Sequence, residues 1–424
     1  MLWALLAAAL PFSPARAADP GGPALRALTL EQSYGLALKW SEELAQRGET
    51  VAQLQAREAE LWSYVKPRLG LAATDILQDV PGAVSGFSSI YSQRHREQAQ
   101  ISGHHTLFTG LREYLAVRQA KAQTASAEFT LRRARQLLYQ DVVSAYLDLL
   151  AVHHEMGIRQ AILDTTDARI KELRQRERLG RSRRSELLAA ESQRAQVAAQ
   201  LDTARGTEAL AQLKLRFLSG IEDDVAPAEV SPPAAEALDR YLEAARSRPD
   251  VEAARRSRDA AVYPVAIAAR QRWPVVNLDG NYYLHRPPPQ DMIKWDVSFS
   301  LSLPLYDGGI TSAQVREAEA ARRSAEAALT QALRQAGLDV RSAHRNLASA
   351  LSVVAALEKA AELAAENARA QAEDYRLGLV TNLDVLGSIS ALQETRLALD
   401  QARTQAFFSR AQLDVAAGLA GGGS

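Results

Sequence analysis

The chain has 424 residues and carries 50 basic and 50 acidic side chains, so its formal net charge at pH 7 is zero. This balance gives no support to a nucleic-acid-binding function, because proteins of that class concentrate positive charge. The sequence contains no cysteine, which excludes disulfides and thiolate metal sites within it. Aromatic residues make up only 6%, while alanine, leucine, arginine and glutamate are abundant, as is typical of long helices and coiled coils.

The first residues, MLWALLAAALPFSPARAADP, are predicted to include a secretory signal peptide, residues 1–17. An apolar stretch from Leu2 to Leu10 precedes the small-residue site Ala15-Arg16-Ala17, after which we expect cleavage. No other stretch has the ~18 uninterrupted apolar residues that a transmembrane helix needs. If the exported chain enters a membrane, we therefore expect it to do so as β-strands, the route of outer-membrane proteins.

The rest of the chain is predicted to be a duplication. Pro67 in YVKPRLGL matches Pro274 in QRWPVVNL at a spacing of 207 residues. From LFTGLREYLAVRQA and LYDGGITSAQVREA onward the spacing is 198, as for Gly180 and Gly378, so the first copy has nine extra residues in between. The predicted division is a first repeat at 18–220, an equatorial Pro-rich linker at 221–238, a second repeat at 239–420 and a flexible tail at 421–424.

Each copy contains, in chain order, a helix, a β segment, a long helix, a glycine break and a shorter helix. In the second copy Val297, Phe299 and Leu301 alternate with serines, the period-two pattern of a strand. This pattern fits a soluble hairpin with one face on a core, and equally a tilted membrane strand of about ten residues. His105 falls where the duplicate has Leu303, an unfavourable residue for a lipid-facing position. The predicted strands are 68–77, 98–108, 275–284 and 295–305.

A long helix is predicted from about Arg112 to Arg178, on the order of 100 Å at 1.5 Å per residue. Apolar residues along it follow the 3-4 spacing of coiled coils, and the second copy repeats this seam. Half-length helices at about 31–64, 184–218, 239–271 and 382–418 would stack end to end along the long ones. The seam residues are Leu138, Val142, Ala145, Leu149, Val152 and Met156, and then Val340, Ala343, Leu347, Ala350 and Val354.

No cofactor, metal site or catalytic activity is predicted. The adjacent pairs His104–His105 and His153–His154 cannot chelate, because neighbouring side chains on a strand or helix diverge. No G-x-S-x-G, HExxH or P-loop motif appears in a plausible setting.

Four strands per chain cannot close a barrel, and lipid excludes open strand edges, so chains must pool their strands. Two chains would supply eight strands, whose interior is filled by side chains, and three would supply twelve, wide enough for a passage. Long helices continuing such a barrel would form a tube through the periplasm.

The sequence resembles the TolC-like outer membrane efflux proteins over nearly its whole length after the signal. The resemblance rests on LTLEQSYGLAL, RSRPDVEAAR, SLSLPLYDGG and YRLGLVTNLDVL, in this order. It implies a mainly α-helical homotrimer that places a twelve-stranded outer-membrane β-barrel on a periplasmic α-helical barrel. It also implies contact with outer membrane lipid and two partners, a periplasmic adaptor and an inner-membrane pump, but no nucleic acid. The competing interpretation is a periplasmic coiled-coil adaptor or spacer without a pore.

The resemblance also assigns a periplasmic gate. Tyr375, Gly378 and Asp384 stand where the family has its tip tyrosine, glycine and aperture aspartate, and Glu186 occupies the acidic position that pairs with the tyrosine. The sequence departs from the family at Val380, where a basic residue is expected, and at Gly387, where a second aspartate is expected. In a trimer, Asp384 would form a ring of three carboxylates that favours cations.

Two further sets of residues are assigned roles by the resemblance. The turns are expected to dock the adaptor, the first being basic and the second apolar. The docking residues are Arg178, Leu179, Gly180, Arg181, Ser182, Arg183, Leu377, Gly378, Leu379 and Thr381. The residues at the strand-to-helix corners are Phe108, Gly110, Pro304, Tyr306 and Gly308.

Overall fold

The computed structural model describes residues 26–79, 94–180, 182–230, 237–288 and 290–421. The predicted signal peptide, the docking residue Arg181 and most of the predicted tail lie outside the described residues. No helix in the described ranges is long and apolar enough to cross a membrane.

Nine helices lie in the described part of the chain, and two of them are much longer than the rest. The first long helix has 67 residues and the second has 68, so each is about 100 Å long. The helix that follows each of them has 36 residues. In chain order the helices are α1 Leu30–Trp40, α2 Glu42–Ser63, α3 Arg112–Arg178, α4 Arg184–Ser219, α5 Leu238–Ala245, α6 Pro249–Ala260, α7 Tyr263–Ala269, α8 Ile310–Leu377 and α9 Asn382–Ala417.

In each copy, the helical segment that precedes the strands is divided into shorter helices. The sequence predicted one continuous helix in each of these places. Ser41 ends α1 and begins α2, and its hydroxyl accepts a hydrogen bond from the Leu44 amide at 3.3 Å. In the second copy, Pro249 and Pro264 lie in the first turns of α6 and α7. Proline has no amide hydrogen to donate to the preceding turn, so each proline favours a new helix start over a continuous helix.

Each long helix packs along its shorter partners. Helix α3 lies against α2 and α4, and α8 lies against α9, while α3 also contacts α6, α7 and α9. The central seam residues Val142, Ala145 and Leu149 are fully buried, as are Val340 and Leu347 in the second copy. Small and branched apolar residues at 3-4 spacing allow this close knobs-into-holes packing.

Near the middle of the long helices, two three-residue strands, β1 (Arg26–Leu28) and β4 (Val225–Pro227), pair in parallel. The buried Tyr146 hydroxyl donates to the Leu28 carbonyl at 2.9 Å and accepts from the Ala228 amide at 2.7 Å. The Gln212 amide oxygen accepts from the Val225 amide at 3.2 Å. The segment expected to be a Pro-rich linker therefore contributes a strand that side chains of α3 and α4 hold in place.

Four longer strands form an antiparallel sheet in the order β2-β3-β5-β6. They are β2 Arg68–Leu77, β3 His95–Phe108, β5 Val275–His285 and β6 Trp295–Ser302. Strand β3 begins three residues before the predicted start, since His95 still pairs with Leu77. Strand β6 ends before the predicted residue 305, because Pro304 has no amide hydrogen for the ladder.

The two faces of this sheet differ in chemistry. Leu278 pairs with Phe299 and Val276 with Leu301 on one face, and Leu69 of β2 lies on that same face. This face is open, with Leu69 82% and Phe299 68% exposed. The opposite face carries asparagine, aspartate, serine and histidine side chains. An exposed apolar face of this size marks a site of contact with lipid or protein.

Candidate functional site at the helix-hairpin turns

Both hairpin turns bend at a glycine in the left-handed region. Gly180 has φ of 66° and Gly378 has φ of 76°, a conformation that side chains with a Cβ rarely adopt. After α8, the Gly378 amide donates to the Tyr375 carbonyl at 3.1 Å and the Leu379 amide donates to the Asp374 carbonyl at 2.9 Å. The bond from Leu379 to Asp374, five residues earlier, is typical of a Schellman motif. This motif satisfies the last carbonyl groups of the helix.

Asp384 caps the start of α9. Its carboxylate accepts from the Thr381 amide at 2.8 Å and from the Thr381 hydroxyl at 2.6 Å. The Thr381 hydroxyl in turn accepts from the Asp384 amide at 3.4 Å, which completes a capping box. The hydrogen bonds from the Thr381 hydroxyl and amide hold the pKa of Asp384 below its usual value. The carboxylate is exposed and ionised at neutral pH.

Tyr375 lies beneath two arginines of α3. The guanidinium carbon of Arg169 is 4.2 Å from the centre of the tyrosine ring, and that of Arg176 is 5.0 Å away. Glu186, expected to pair with this tyrosine, instead accepts from the Ser182 hydroxyl at 2.7 Å. The structure therefore joins Tyr375 to α3 through cation–π contacts and does not bring Glu186 to it.

Arg169 links the two hairpins. Its Nε donates to the side-chain oxygen of Asn382 at 2.8 Å, and a terminal nitrogen donates to Glu172 at 2.6 Å. The Arg169 side chain is only 15% exposed, and Asn382 is 1% exposed. Sequence reasoning missed this residue. The available signal was the spacing of Arg169, Glu172 and Arg176, which places all three on one face of α3.

A small apolar cluster near the turns also connects α3, α4 and α9. Ile170, Leu173 and Ala190 are buried, and Leu187 and Leu386 pack against them. A hydrogen bond of 3.3 Å from Gln193 to Ser390 joins α4 to α9 at the same level. The second turn is therefore held against the first hairpin by apolar contacts as well as by Arg169.

The outer surfaces of the two turns differ. Arg178, Arg183 and Arg184 are exposed at the first turn and form no ion pair within the described residues. At the second turn the exposed residues are apolar, with Leu377 74% and Leu379 71% exposed. A basic and an apolar patch thus lie side by side at one end of the molecule.

The corner residues lie at the opposite end of the long helices. In the first copy the rings of Phe108 and Trp273 are 6.2 Å apart, and a Cβ added to Gly110, whose φ is 73°, would lie 3.1 Å from the Trp273 Cβ. In the second copy Pro304 and Tyr306 are exposed, and Gly308 has φ of 64°.

Asp307 organises the start of α8 at the second corner. Its carboxylate accepts from the Gly309 amide at 2.9 Å and from the Thr311 amide at 3.0 Å. Hydrogen bonds from the Thr311 hydroxyl, the Thr311 amide and the Gly309 amide lower the pKa of Asp307 to about 2. The carboxylate therefore serves as the helix cap at this corner.

The histidine pairs each bind carboxylates. His104 lies 2.6 Å from Asp279, and His154 lies 2.8 Å from both Asp400 and Glu229. Burial lowers the pKa of His154, but its hydrogen bonds to the Asp400 and Glu229 carboxylates outweigh this effect and raise the pKa. Among the residues that the structure describes, no group of three or more histidine or acidic side chains could hold a metal ion.

Comparison with known proteins identifies this architecture. Residues 241–419 match the family described as "Outer membrane efflux protein". The outer membrane efflux protein BepC of Brucella suis is 25% identical over 305 residues, 70% of this chain and 66% of that protein. The outer membrane protein TolC of Vibrio cholerae is 25% identical over 314 residues, 71% of each chain. The match thus spans just under two thirds of BepC.

Solved structures share the fold over more than nine tenths of the chain. The outer membrane protein VceC of Vibrio cholerae superposes with a TM-score of 0.78 at 22% identity, covering 92% of this chain and 96% of that one. A membrane protein from Pseudomonas aeruginosa gives a TM-score of 0.81 at 20% identity, covering 93% and 91%. The family match, the curated relatives and the fold agree. Residues 241–419 thus match the outer membrane efflux protein family, and the chain as a whole is similar to TolC and its relatives, which are outer membrane proteins of Gram-negative bacteria.

Proposed function

We propose that this protein is a trimeric channel-tunnel that exports substrates across the periplasm and outer membrane, together with an inner-membrane pump and a periplasmic adaptor. The observation that carries the proposal is the four-stranded sheet. One of its faces is apolar and open, and the outer edges of β2 and β6 have no partner strand in the described part of the chain.

Such a sheet is stable in lipid only if its edges are paired, because unpaired backbone groups cost several kcal/mol each in hydrocarbon. Pairing β6 of one protomer with β2 of the next closes a ring and leaves no edge. Three copies supply twelve strands, which enclose a passage, whereas two copies supply eight, whose interior side chains fill. The polar face of the sheet would line the passage.

The helices continue the same ring. Across one protomer, the order of neighbours is α2 and α4, then α3, then α6, α7 and α9, then α8. Columns built from half-length helices thus alternate with the long helices α3 and α8. Each protomer contributes four helical columns, and three protomers would make a tube about 100 Å long.

The turns are the proposed periplasmic gate and docking surface. In the trimer, three Asp384 carboxylates would face one another, each held in its capping box by Thr381. With Val380 and Gly387 in place of the basic and acidic residues of relatives, the ring would act without a second acidic ring. The adaptor would contact the basic first turn and the apolar second turn, and Tyr375 would move with the gate.

Engineered cysteines test the trimer, because the native sequence has none. Ala72 lies within β2 and Ser298 and Ser300 lie within β6, on the polar face. We expect at least one pair, Ala72→Cys with Ser298→Cys or Ser300→Cys, to produce covalent trimers in outer membranes. Single variants are the control. A protein recovered only from the soluble periplasm, with monomeric products, would instead support the adaptor or spacer interpretation.

Purified trimers should also insert into planar lipid bilayers and give discrete conductance steps. Absence of conductance from correctly folded, cross-linked trimers would contradict the channel function while leaving the assembly intact.

A further inference from the structure

We propose that a basic pocket at the first strand-to-helix corner binds multivalent anions in the passage. The pocket is a cavity of about 540 Å³ between α2, β2, β3, α3 and β5. Its basic lining residues are Lys66, Arg68, His104 and Arg112, and its single acid is Glu113. This inference rests on the proposed channel, since it requires the polar face of the sheet to line the passage.

The arginines and the lysine of this basic pocket are not neutralised by neighbours. Lys66, Arg68 and Arg112 form no ion pair within the described residues. Arg68 stacks on the ring of Tyr64 at 4.4 Å, which positions the guanidinium without removing its charge. The Nε of Arg112 donates to the Thr109 carbonyl at 2.9 Å.

The acid in the pocket is already engaged. The Glu113 carboxylate accepts a hydrogen bond from the Thr109 hydroxyl. His104 is held by Asp279 on the neighbouring strand. The lining therefore has three positive charges against one negative charge, and that negative charge is directed to Thr109. Arginine and lysine side chains recognise phosphate and carboxylate groups through charge-assisted hydrogen bonds.

The second copy provides an internal comparison. The strand register pairs Arg68 with His104 in the first copy and Val275 with Ser302 in the second, the positions that the two sequence spacings equate. By the same spacings Lys66 corresponds to Trp273 and Arg112 to Ile310. All four basic positions of the first corner are therefore occupied by uncharged residues in the second. The helix-to-strand connection therefore does not require basic residues at these four positions, so another cause must account for them.

The position of the pocket favours a dissolved anion over a lipid headgroup. Arg68 and His104 lie on the polar face of the sheet with Asp279, whereas Leu69 and Leu278 lie on the apolar face that would meet lipid. A trimer would carry three such pockets around the passage at one level. We therefore expect the ligand to be a solute with several phosphate or carboxylate groups.

Tripolyphosphate block of single trimers in planar bilayers tests this inference. Tripolyphosphate should reduce the current of the native channel, and the block should weaken as salt screens the charges. The double variant Lys66→Gln and Arg68→Gln should require roughly tenfold more tripolyphosphate, or about 1.4 kcal/mol of lost affinity. Both side chains are exposed, so folding should persist.

Arg272→Gln is the matched control, because Arg272 lies at the second corner and donates to the Ser312 hydroxyl at 2.6 Å. Equal block of native, double-variant and control channels would overturn the inference, and so would the absence of block in the native channel. Lack of conductance would count against the channel function instead. The pocket would then be tested by calorimetric binding of tripolyphosphate to detergent-solubilised trimers, where no heat of binding would overturn it.

Bilayer composition separates the two sources of phosphate. With phosphatidylcholine alone, tripolyphosphate should still block the native channel. If block or calorimetric binding changes only when phosphatidylglycerol is present, and dissolved tripolyphosphate has no effect, the ligand is a headgroup and the passage assignment is wrong.

Discussion

The two helix-hairpin turns share one requirement and differ in their surroundings. Both reverse a long helix at a glycine with positive φ, Gly180 in the first turn and Gly378 in the second. The second turn is further ordered by a Schellman ending, by the capping box of Thr381 and Asp384, and by Arg169. Helix α4, by contrast, begins at Arg184, and its N-cap residue Arg183 makes no side-chain capping hydrogen bond. The two reversals therefore share the glycine, and the additional order of the second turn needs a separate cause.

That cause fits the proposed division of roles. The proposed gate needs a defined closed state, which the contacts from α3 to Tyr375 and Asn382 would stabilise. A docking surface needs exposed, unpaired groups, and Arg178, Arg183 and Arg184 supply them. Substitutions at four positions test whether the two turns are independent in this way.

Leu173→Ala should have the largest effect, and it should affect both turns. Leu173 is fully buried in the cluster that joins α3, α4 and α9. Truncation of a buried leucine costs about 2–5 kcal/mol. Amide hydrogen exchange should report faster opening near residues 184–190 and 382–390 alike. Leu179→Ala is the control, since Leu179 is exposed and its loss should change neither. Faster amide exchange at the first turn alone would mean that the cluster does not couple the two helix hairpins.

Arg169→Leu should affect the second turn alone. The substitution removes the cation–π contact with Tyr375 and the hydrogen bond to the buried Asn382. Loss of a hydrogen bond from a charged group costs about 1.5–3 kcal/mol. Faster exchange is expected around residues 375–385, with the amides of 184–190 unchanged. Arg176→Gln, at a more exposed site and a longer distance from the ring, should have a smaller effect.

Equal exchange in the Arg169→Leu and native proteins would show that Arg169 does not hold the second turn. In planar bilayers, the same variant should open more often than the native channel if the contact stabilises the closed gate. If channel opening is unchanged while amide exchange is faster, Arg169 stabilises the second turn without controlling the gate.

The contacts of Arg169 could not have been predicted from the sequence, whereas much of the fold could. Glycine at a bend, a 3-4 apolar seam and period-two strands are local signals, so the long helices and the sheet could be predicted from them. The Arg169 contacts join residues more than two hundred positions apart. Resemblance instead suggested Glu186 as the partner of Tyr375, because it transfers positions and not side-chain directions.

The middle of the molecule illustrates a second limit. Strands β1 and β4 have only three residues each, too few for a periodic pattern. Their pairing depends on side chains of two helices: Tyr146, 118 positions from Leu28, and Gln212, 13 positions before Val225. The breaks at Pro249 and Pro264, in contrast, were visible in the sequence, and the prediction of one continuous helix gave these prolines too little weight.

Gly378→Val should strain the second turn. A non-glycine residue with positive φ costs about 1–2 kcal/mol, and a β-branched one is at the upper end. We expect a lower yield of trimer and faster exchange at residues 375–381. Gly387→Ala is the matched control. Gly387 lies within α9 without a positive φ or a close neighbour, so alanine should be neutral or stabilising. Normal exchange in Gly378→Val would mean that the turn can adopt another conformation at little cost.

Substitution of Asp384 has the smallest expected effect on stability, and it tests the proposed carboxylate ring directly. Its pKa is lowered in the fold by Thr381, so its contribution to stability is present above the unfolded pKa of about 3.9. That contribution is lost as the pH falls through the lowered pKa. Protection of the first turn of α9 against exchange should therefore be constant at neutral pH and decrease below about pH 4. Asp384→Ala should remove this pH dependence.

Asp384→Asn separates the cap from the proposed carboxylate ring. Asparagine keeps an oxygen that can accept from Thr381, so exchange at α9 should stay close to native, whereas the negative charge is lost. If three carboxylates line the gate, block of the channel by multivalent cations should weaken in both variants, while exchange increases only in Asp384→Ala. Native cation block in Asp384→Asn would leave Asp384 as a helix cap alone. In that case the second turn would be ordered by its helix-terminating contacts and by Arg169, and a carboxylate ring at the gate would have no part in it.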